Sequence, residues 1–194
     1  MRIGVYGGAF SPVHNGHIAA ARTFFSKMSL DKLIIVPSCI PMHKSAVCAE
    51  ARLEMCRMSF CDRGYDVSDI EIRRGGKNYT YDTLKSLYHD GDELIFLCGS
   101  DMAIIIDSWY RADDMFKICS IAVSCREGDT DALLKKADDL REKYGADISV
   151  IHSDGAEISS SMIRKMIAVG EDVSSLIPHE EYEYIKKNGL YLYE

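Results

Sequence analysis

Residues 1–18, MRIGVYGGAFSPVHNGHI, constrain the fold more than any other stretch. The apolar run Ile3, Gly4, Val5, Tyr6 passes into Gly7 and Gly8, then Pro12, then His14 and His17. From there Ile18, Ala21, Phe25 and Met28 recur at helical spacing and predict a buried stripe on a first helix. This is a strand that enters a glycine-bearing loop and leaves through a helix N-terminus. Unpaired backbone N–H groups and the positive end of the helix dipole suit an anion there, phosphate above all. His14 and His17 stand three residues apart and can serve the same anion.

The same alternation continues along the chain. Residues 33–36, 93–98, 118–125 and 148–151 are short apolar runs of the kind that form strands buried on both faces. Helical patterns cover 50–61, the stretch after Thr80, and 129–144, whose charges predict a solvated surface helix. Around 65–74, Val67, Ile70 and Ile72 alternate with polar residues and predict a strand or short hairpin. Strands alternating with helices imply an α/β fold with a doubly wound, mostly parallel sheet and a ligand at its carboxyl edge. The expected organisation is a single domain over 1–194, with residues from about 155 to 194 as its C-terminal helical part.

Composition narrows the function classes. A net charge of −7 argues against nucleic acid as a partner, so an anionic substrate must be held by local charge and backbone amides. No apolar run approaches a membrane span, and the first strand begins too early to leave room for a signal peptide; a cytoplasmic protein with no membrane partner is expected. The seven cysteines include no C-x-x-C pair, which points to free thiols rather than a disulfide framework or a zinc site.

Residues 7–17, GGAFSPVHNGH, resemble the G-G-x-F-x-P-x-H-x-G-H opening of the HxGH nucleotidylyltransferase superfamily, and in particular of bacterial nicotinate-nucleotide adenylyltransferases. Ser11 departs from the Asp or Asn usual at its position; its hydroxyl can take over hydrogen bonds to nearby backbone. A second motif, Ile158-Ser159-Ser160-Ser161-Met162-Ile163-Arg164, is similar to the family's I-S-[SA]-[ST]-x-[IV]-R. Between them, Pro37 to Lys44 resembles P-x-x-x-P-x-H-[KR], Tyr79 to Leu84 resembles Y-[ST]-x-x-T-[LIV], Gly99-Ser100-Asp101 resembles G-x-D, and Trp109-Tyr110 resembles a W-Y pair. Arg126 matches a basic position near the adenylate.

The resemblance implies adenylyl transfer from ATP to nicotinate mononucleotide, with Mg²⁺ held mainly by the nucleotide phosphates and no protein metal site. It implies catalytic roles for His14, His17, Lys44 and Arg164. An ATP site would be made of Gly7, Gly8, Ala9, Phe10, His14, Gly16, His17, Lys44, Gly99, Asp101, Arg126, Ser159, Ser160 and Arg164. The mononucleotide would meet Ser11, His43, Tyr79, Thr80, Asp101, Trp109 and Tyr110. Simpler readings stand beside these: Thr80, Asp101 and the serines as helix caps, Lys44 as a solvated loop lysine, Trp109 as a core anchor. Rival functions are phosphopantetheine adenylyltransferase, the amide-specific nicotinamide-mononucleotide enzyme, and a catalytically dead nucleotide sensor. A dinucleotide-binding oxidoreductase fits poorly, because the first loop lacks G-x-G-x-x-G and no acid closes the next strand.

Overall fold

The computed structural model describes residues 1–40, 47–125, 130–152 and 158–192. Its strands are β1 (Arg2–Gly8), β2 (Lys32–Pro37), β3 (Asp66–Val67), β4 (Glu93–Gly99), β5 (Ser120–Cys125) and β6 (Ile148–His152), in the sheet order β3-β2-β1-β4-β5-β6. The order 3-2-1-4-5-6 is that of a doubly wound α/β sheet, whose switch point lies between β1 and β4. There Val5 stands beside Phe96 and Tyr6 beside Leu97 in a parallel pair, and β4–β5 and β5–β6 are parallel too. Leu94 to Cys98 are all buried, the two-sided burial that their unbroken apolar run requires. The expected α/β class and parallel sheet are borne out.

The helices are α1 (Asn15–Lys27), α2 (Ala49–Phe60), α3 (Ile70–Arg74), α4 (Thr80–Leu87), α5 (Ser100–Ile104), α6 (Ala112–Ile118), α7 (Thr130–Tyr144), α8 (Ser160–Ala168) and α9 (His179–Asn188). The predicted strand or hairpin at 65–74 shrinks to the two residues of β3, and α3 takes its end. Asp69 holds Arg73 at 2.8 Å and accepts its backbone N–H. Gly75, at φ 70°, closes the turn by donating to Glu71 and Ile72. Local turn chemistry overrides the two-residue alternation there. On α1 the buried ring is Phe24, with Phe25 only half-buried.

By internal packing the chain forms two compact units. The first takes Met1–Gly7, Ala20–Ile34 and Asn78–Asp154. Its core includes Leu133, Ala137 and Leu140 of α7, gathered with Ile121, Val123 and Ile148 around a small apolar cleft. The charged helix expected to be solvated is therefore amphipathic. The second unit takes Gly8–Ala19, Ile35–Lys77 and Gly155–Glu194. Phe10, Met55, Phe60, Ile163, Ile177 and Ile185 are buried within it.

Gly4 of β1 exists for close packing: a Cβ there would stand 2.3 Å from Leu30 Cδ1 and 2.8 Å from the Phe24 ring. Gly4→Ala is expected to destabilise the fold by about 1–3 kcal/mol, measured by denaturant unfolding. A loss under about 0.5 kcal/mol would mean that Phe24 and Leu30 can move aside.

Candidate functional site

The second unit contains the histidine loop. After Gly8, Phe10 adopts φ 47°, a left-handed conformation that a bulky residue rarely takes and that functional loops often retain. Packing compensates for it: the Phe10 ring is buried, with Phe60 at 5.9 Å and His17 at 5.1 Å between centroids. His14 and His17 stack at 3.7 Å. Their hydrogen bonds are reciprocal: the backbone N–H of His14 donates to Nδ1 of His17 at 3.2 Å, and that of His17 donates to Nδ1 of His14 at 3.3 Å. An Nδ1 that accepts leaves the proton of a neutral ring on Nε2, so each imidazole presents an Nε2–H donor. Gly16 makes room for this, because a Cβ there would lie 2.9 Å from His14 Nδ1.

Charge follows the same logic. Burial, and after it the neighbouring His14, holds the His17 imidazole well below its ordinary range. His17 is therefore a neutral donor at neutral pH and not a cation.

The second motif closes on this loop. Ser159 caps α8 by accepting the Met162 N–H at 3.2 Å. Ser160 Oγ donates to the Pro12 carbonyl at 2.9 Å. Arg164 is buried; its Nη1 donates to the Ser11 carbonyl at 2.9 Å and its Nη2 to Ser161 Oγ at 3.2 Å. Arg164 was expected to face the ligand; the structure turns its guanidinium onto the loop backbone. Ser11 itself, 1% exposed, shares a hydrogen bond of 2.9 Å with the hydroxyl of Tyr191. That bond ties the loop to a hydroxyl 180 positions away in the sequence.

Several polar residues of this unit escaped the sequence reading. Arg52 of α2 is fully buried and donates to Ala9, Cys39 and Val47 carbonyls. Glu181 of α9 is equally buried and accepts from Ser59 Oγ at 2.7 Å. Burial pushes its carboxyl up to about 8, with Ser59 and the backbone N–H of Val13 pulling the other way. A signal was present: Arg52 lies four residues before Cys56, and Glu181 four before Ile185, each a charged residue at a position in phase with a buried one.

The remaining expected residues that the structure describes, Tyr79, Thr80, Gly99, Asp101, Trp109 and Tyr110, belong to the first unit. Gly99 ends β4 beside the carboxyl end of β1, and the exposed Asp101 stands in the first turn of α5 rather than at its cap. Thr80 opens α4 but does not cap it; Tyr79 holds that position, without a side-chain cap bond. Trp109 is half-buried, its ring edge-on to Phe96 at 6.1 Å. Tyr110, 50% exposed, lies against Tyr79 at 4.4 Å. Arg111, in the left-handed region at φ 56°, binds Asp114 and lies 4.3 Å over the Tyr81 ring, so the W-Y turn is anchored to α4. His43, Lys44 and Arg126 lie outside the described residues.

Because the folded protein resists protonating His17 while the unfolded chain takes the proton near pH 6.5, stability is expected to fall as pH drops below 6.5. Ring ¹⁵N spectra at pH 6 should show His17 neutral with its proton on Nε2. A midpoint near 6.5 would contradict the arrangement.

Comparison with known proteins gives this geometry a family. Residues 5–166 match the cytidylyltransferase-like family. A protein of Clostridium tetani named as a probable nicotinate-nucleotide adenylyltransferase is 34% identical over 194 residues, covering 96% of this chain and 97% of that protein. Its namesake in Carboxydothermus hydrogenoformans is 37% identical over 196 residues, covering 98% of each. Among solved structures, the nicotinic acid mononucleotide adenylyltransferase of Plasmodium falciparum complexed with NaAD has the same fold, with a TM-score of 0.81 at 21% identity over 100% of this chain and 98% of that one. The chain belongs to the cytidylyltransferase-like family, among its nicotinate-nucleotide adenylyltransferases.

Proposed function

We propose that this chain transfers the adenylyl group of ATP to nicotinate mononucleotide, giving nicotinate adenine dinucleotide and pyrophosphate, a step of NAD biosynthesis. The observation that carries the reading is the reciprocal His14–His17 pair, which holds two Nε2–H donors in a loop tied to the Ser160–Arg164 turn. The acceptor's phosphate, ionised at neutral pH, attacks the α-phosphorus of ATP in line. A P–O bond forms as the α–β bridging bond breaks, and the electron pair leaves with pyrophosphate. No protein nucleophile is needed, so catalysis is positioning and stabilisation of growing negative charge.

In this reading His17 and His14 donate to the α-phosphate, within the loop formed by Gly7, Gly8, Ala9, Phe10 and Gly16. Lys44 places a mobile positive charge on the departing pyrophosphate. Ser159 adds a hydroxyl donor and Ser160 a backbone N–H at the start of α8, and Arg164 adds positive potential from beneath the loop. Gly99 and Asp101 meet a ribose, and Arg126 the adenylate. Ser11 and His43 act near the mononucleotide phosphate, Tyr79 and Thr80 meet the pyridine carboxylate, and Trp109 with Tyr110 stacks on the ring.

Mg²⁺ enters as part of the ATP substrate. Among the described residues no group of three or more His, Cys, Asp or Glu could hold a metal, and the loop's donors are N–H and O–H groups rather than the carboxylates that Mg²⁺ prefers. A cytoplasmic location accords with the reading, since both substrates are polyanions. Among the described residues no helix is long and apolar enough to cross a membrane.

Pyrophosphate release measured side by side with nicotinate mononucleotide, nicotinamide mononucleotide and phosphopantetheine tests the assignment. Fastest turnover is expected with the acid mononucleotide; a preference for phosphopantetheine, or no turnover, overturns it. Trp109→Ala is expected to raise KM for the mononucleotide about tenfold while changing KM for ATP less than about twofold. Equal changes in both would make Trp109 a core anchor.

A further inference from the structure

Glu181 has no part in the chemistry above, yet it is fully buried in the first turn of α9. Its carboxyl meets two other elements of the second unit. Ser59 of α2 donates its hydroxyl to Oε2 at 2.7 Å, and the backbone N–H of Val13, in the histidine loop, donates to the same carboxyl. Val13 lies between Pro12 and His14, outside any helix or strand, and its side chain is fully buried. A buried N–H in such a place needs an acceptor that no ladder supplies. Oε1 of Glu181 is itself buried and has no hydrogen-bond partner among the described residues.

An enclosed carboxyl with one bare oxygen is a poor source of stability. Among the described residues no Lys, Arg or His pairs with it, and an apolar side chain of similar volume would cost less to bury. Burial pushes the acid up to about 8, so at neutral pH it is mostly uncharged. The titratable groups that face it are the Cys56 thiol of α2 and the Tyr191 phenol beyond α9, and burial pushes both of them up as well. Arg52 acts on Cys56 and Tyr191, and Arg164 on Tyr191, rather than on the carboxyl itself. From the histidine loop the group that meets Glu181 is the Val13 N–H.

We propose that Glu181 is a positioning residue for adenylyl transfer: its carboxyl holds the Val13 peptide against Ser59 of α2 and so sets the direction in which His14 and His17 present their Nε2–H donors. The proposal rests on the adenylyltransferase reading above and adds to it the group that fixes the peptide next to His14. An ionised carboxylate in this enclosure lacks the donors that water would give it, so it draws away toward solvent and the loop loses its anchor.

The test measures kcat and KM of wild type, Glu181→Leu, Glu181→Gln and Ser59→Ala in the pyrophosphate-release assay from about pH 6 to about pH 10, with melting curves at each pH to confirm folding. Wild-type kcat is expected to fall on the alkaline side with a midpoint of about 8. At neutral pH Glu181→Leu should lower kcat by at least about tenfold while KM for either substrate stays within about twofold, since small displacements of reacting groups are costly. Gln keeps a carbonyl oxygen for Val13 and cannot ionise, so Glu181→Gln should recover most of that kcat and show no alkaline fall. Ser59→Ala removes a donor that favours the carboxylate, so its midpoint should lie above that of the wild type. A wild type without an alkaline fall, a fall that persists in Glu181→Gln, an unmoved midpoint in Ser59→Ala, or a folded Glu181→Leu with near-normal kcat overturns the proposal. Where the Glu181 variants do not fold, the Ser59→Ala midpoint decides; failure of all three to fold makes the cluster a core element and overturns the proposal as well. A wild-type protein that transfers no adenylyl group defeats the functional reading itself, whereas an active wild type indifferent to these changes defeats only this inference.

Discussion

The structure depends on how the backbone of residues 9–15 is held. This stretch has no ladder of its own, and bonds from elsewhere in the second unit secure the backbone of Ala9, Ser11, Pro12, Val13 and Asn15. Arg52 takes the Ala9 carbonyl, Arg164 that of Ser11, and Ser160 that of Pro12. The Asn15 N–H donates to Leu176 at 2.9 Å and its side-chain amide to Ser175 at 3.1 Å. Two buried arginines thus donate to carbonyls of this one loop and fix its backbone. Rigidity of this kind is what a reaction without a protein nucleophile requires, since donors already in place need not reorganise when charge develops.

Electrostatics and packing meet at the histidine pair. The chain carries a net charge of −7, and burial holds the His17 imidazole below its ordinary range while reciprocal backbone bonds fix both rings. Stacked at 3.7 Å, two imidazolium ions would repel, and desolvation adds to that cost. The buried guanidinium groups of Arg52 and Arg164 lie against the carbonyls of the same loop. The thiols follow the same rule of burial: Cys98 and Cys119 are pushed up to about 12 and remain apolar packing.

The strands and most of the helices were legible because burial on both faces leaves an unbroken apolar run, and β2, β4, β5 and β6 carry one each. The stretch 65–74 was not, because Asp69 and Gly75 impose a turn that a two-residue period cannot reveal. The histidine loop and the serine turn were legible as motifs, and their association follows the resemblance. The direction of Arg164 was not: an arginine near a helix start looks the same whether it points to a ligand or to a neighbouring carbonyl. Arg52 and Glu181 were hidden for a related reason. A charged residue in a helical sequence is ordinarily solvated, and only its phase against Cys56 or Ile185 distinguishes the buried exception.

The bond between Ser11 and Tyr191 couples the two ends of this sequence. During synthesis the ribosome releases the histidine loop early, but the hydroxyl that completes its support emerges after nearly every other residue described here. Without Tyr191 the Ser11 hydroxyl would lose this bond, while Arg52, Arg164 and Ser160 still hold the carbonyls of the same loop.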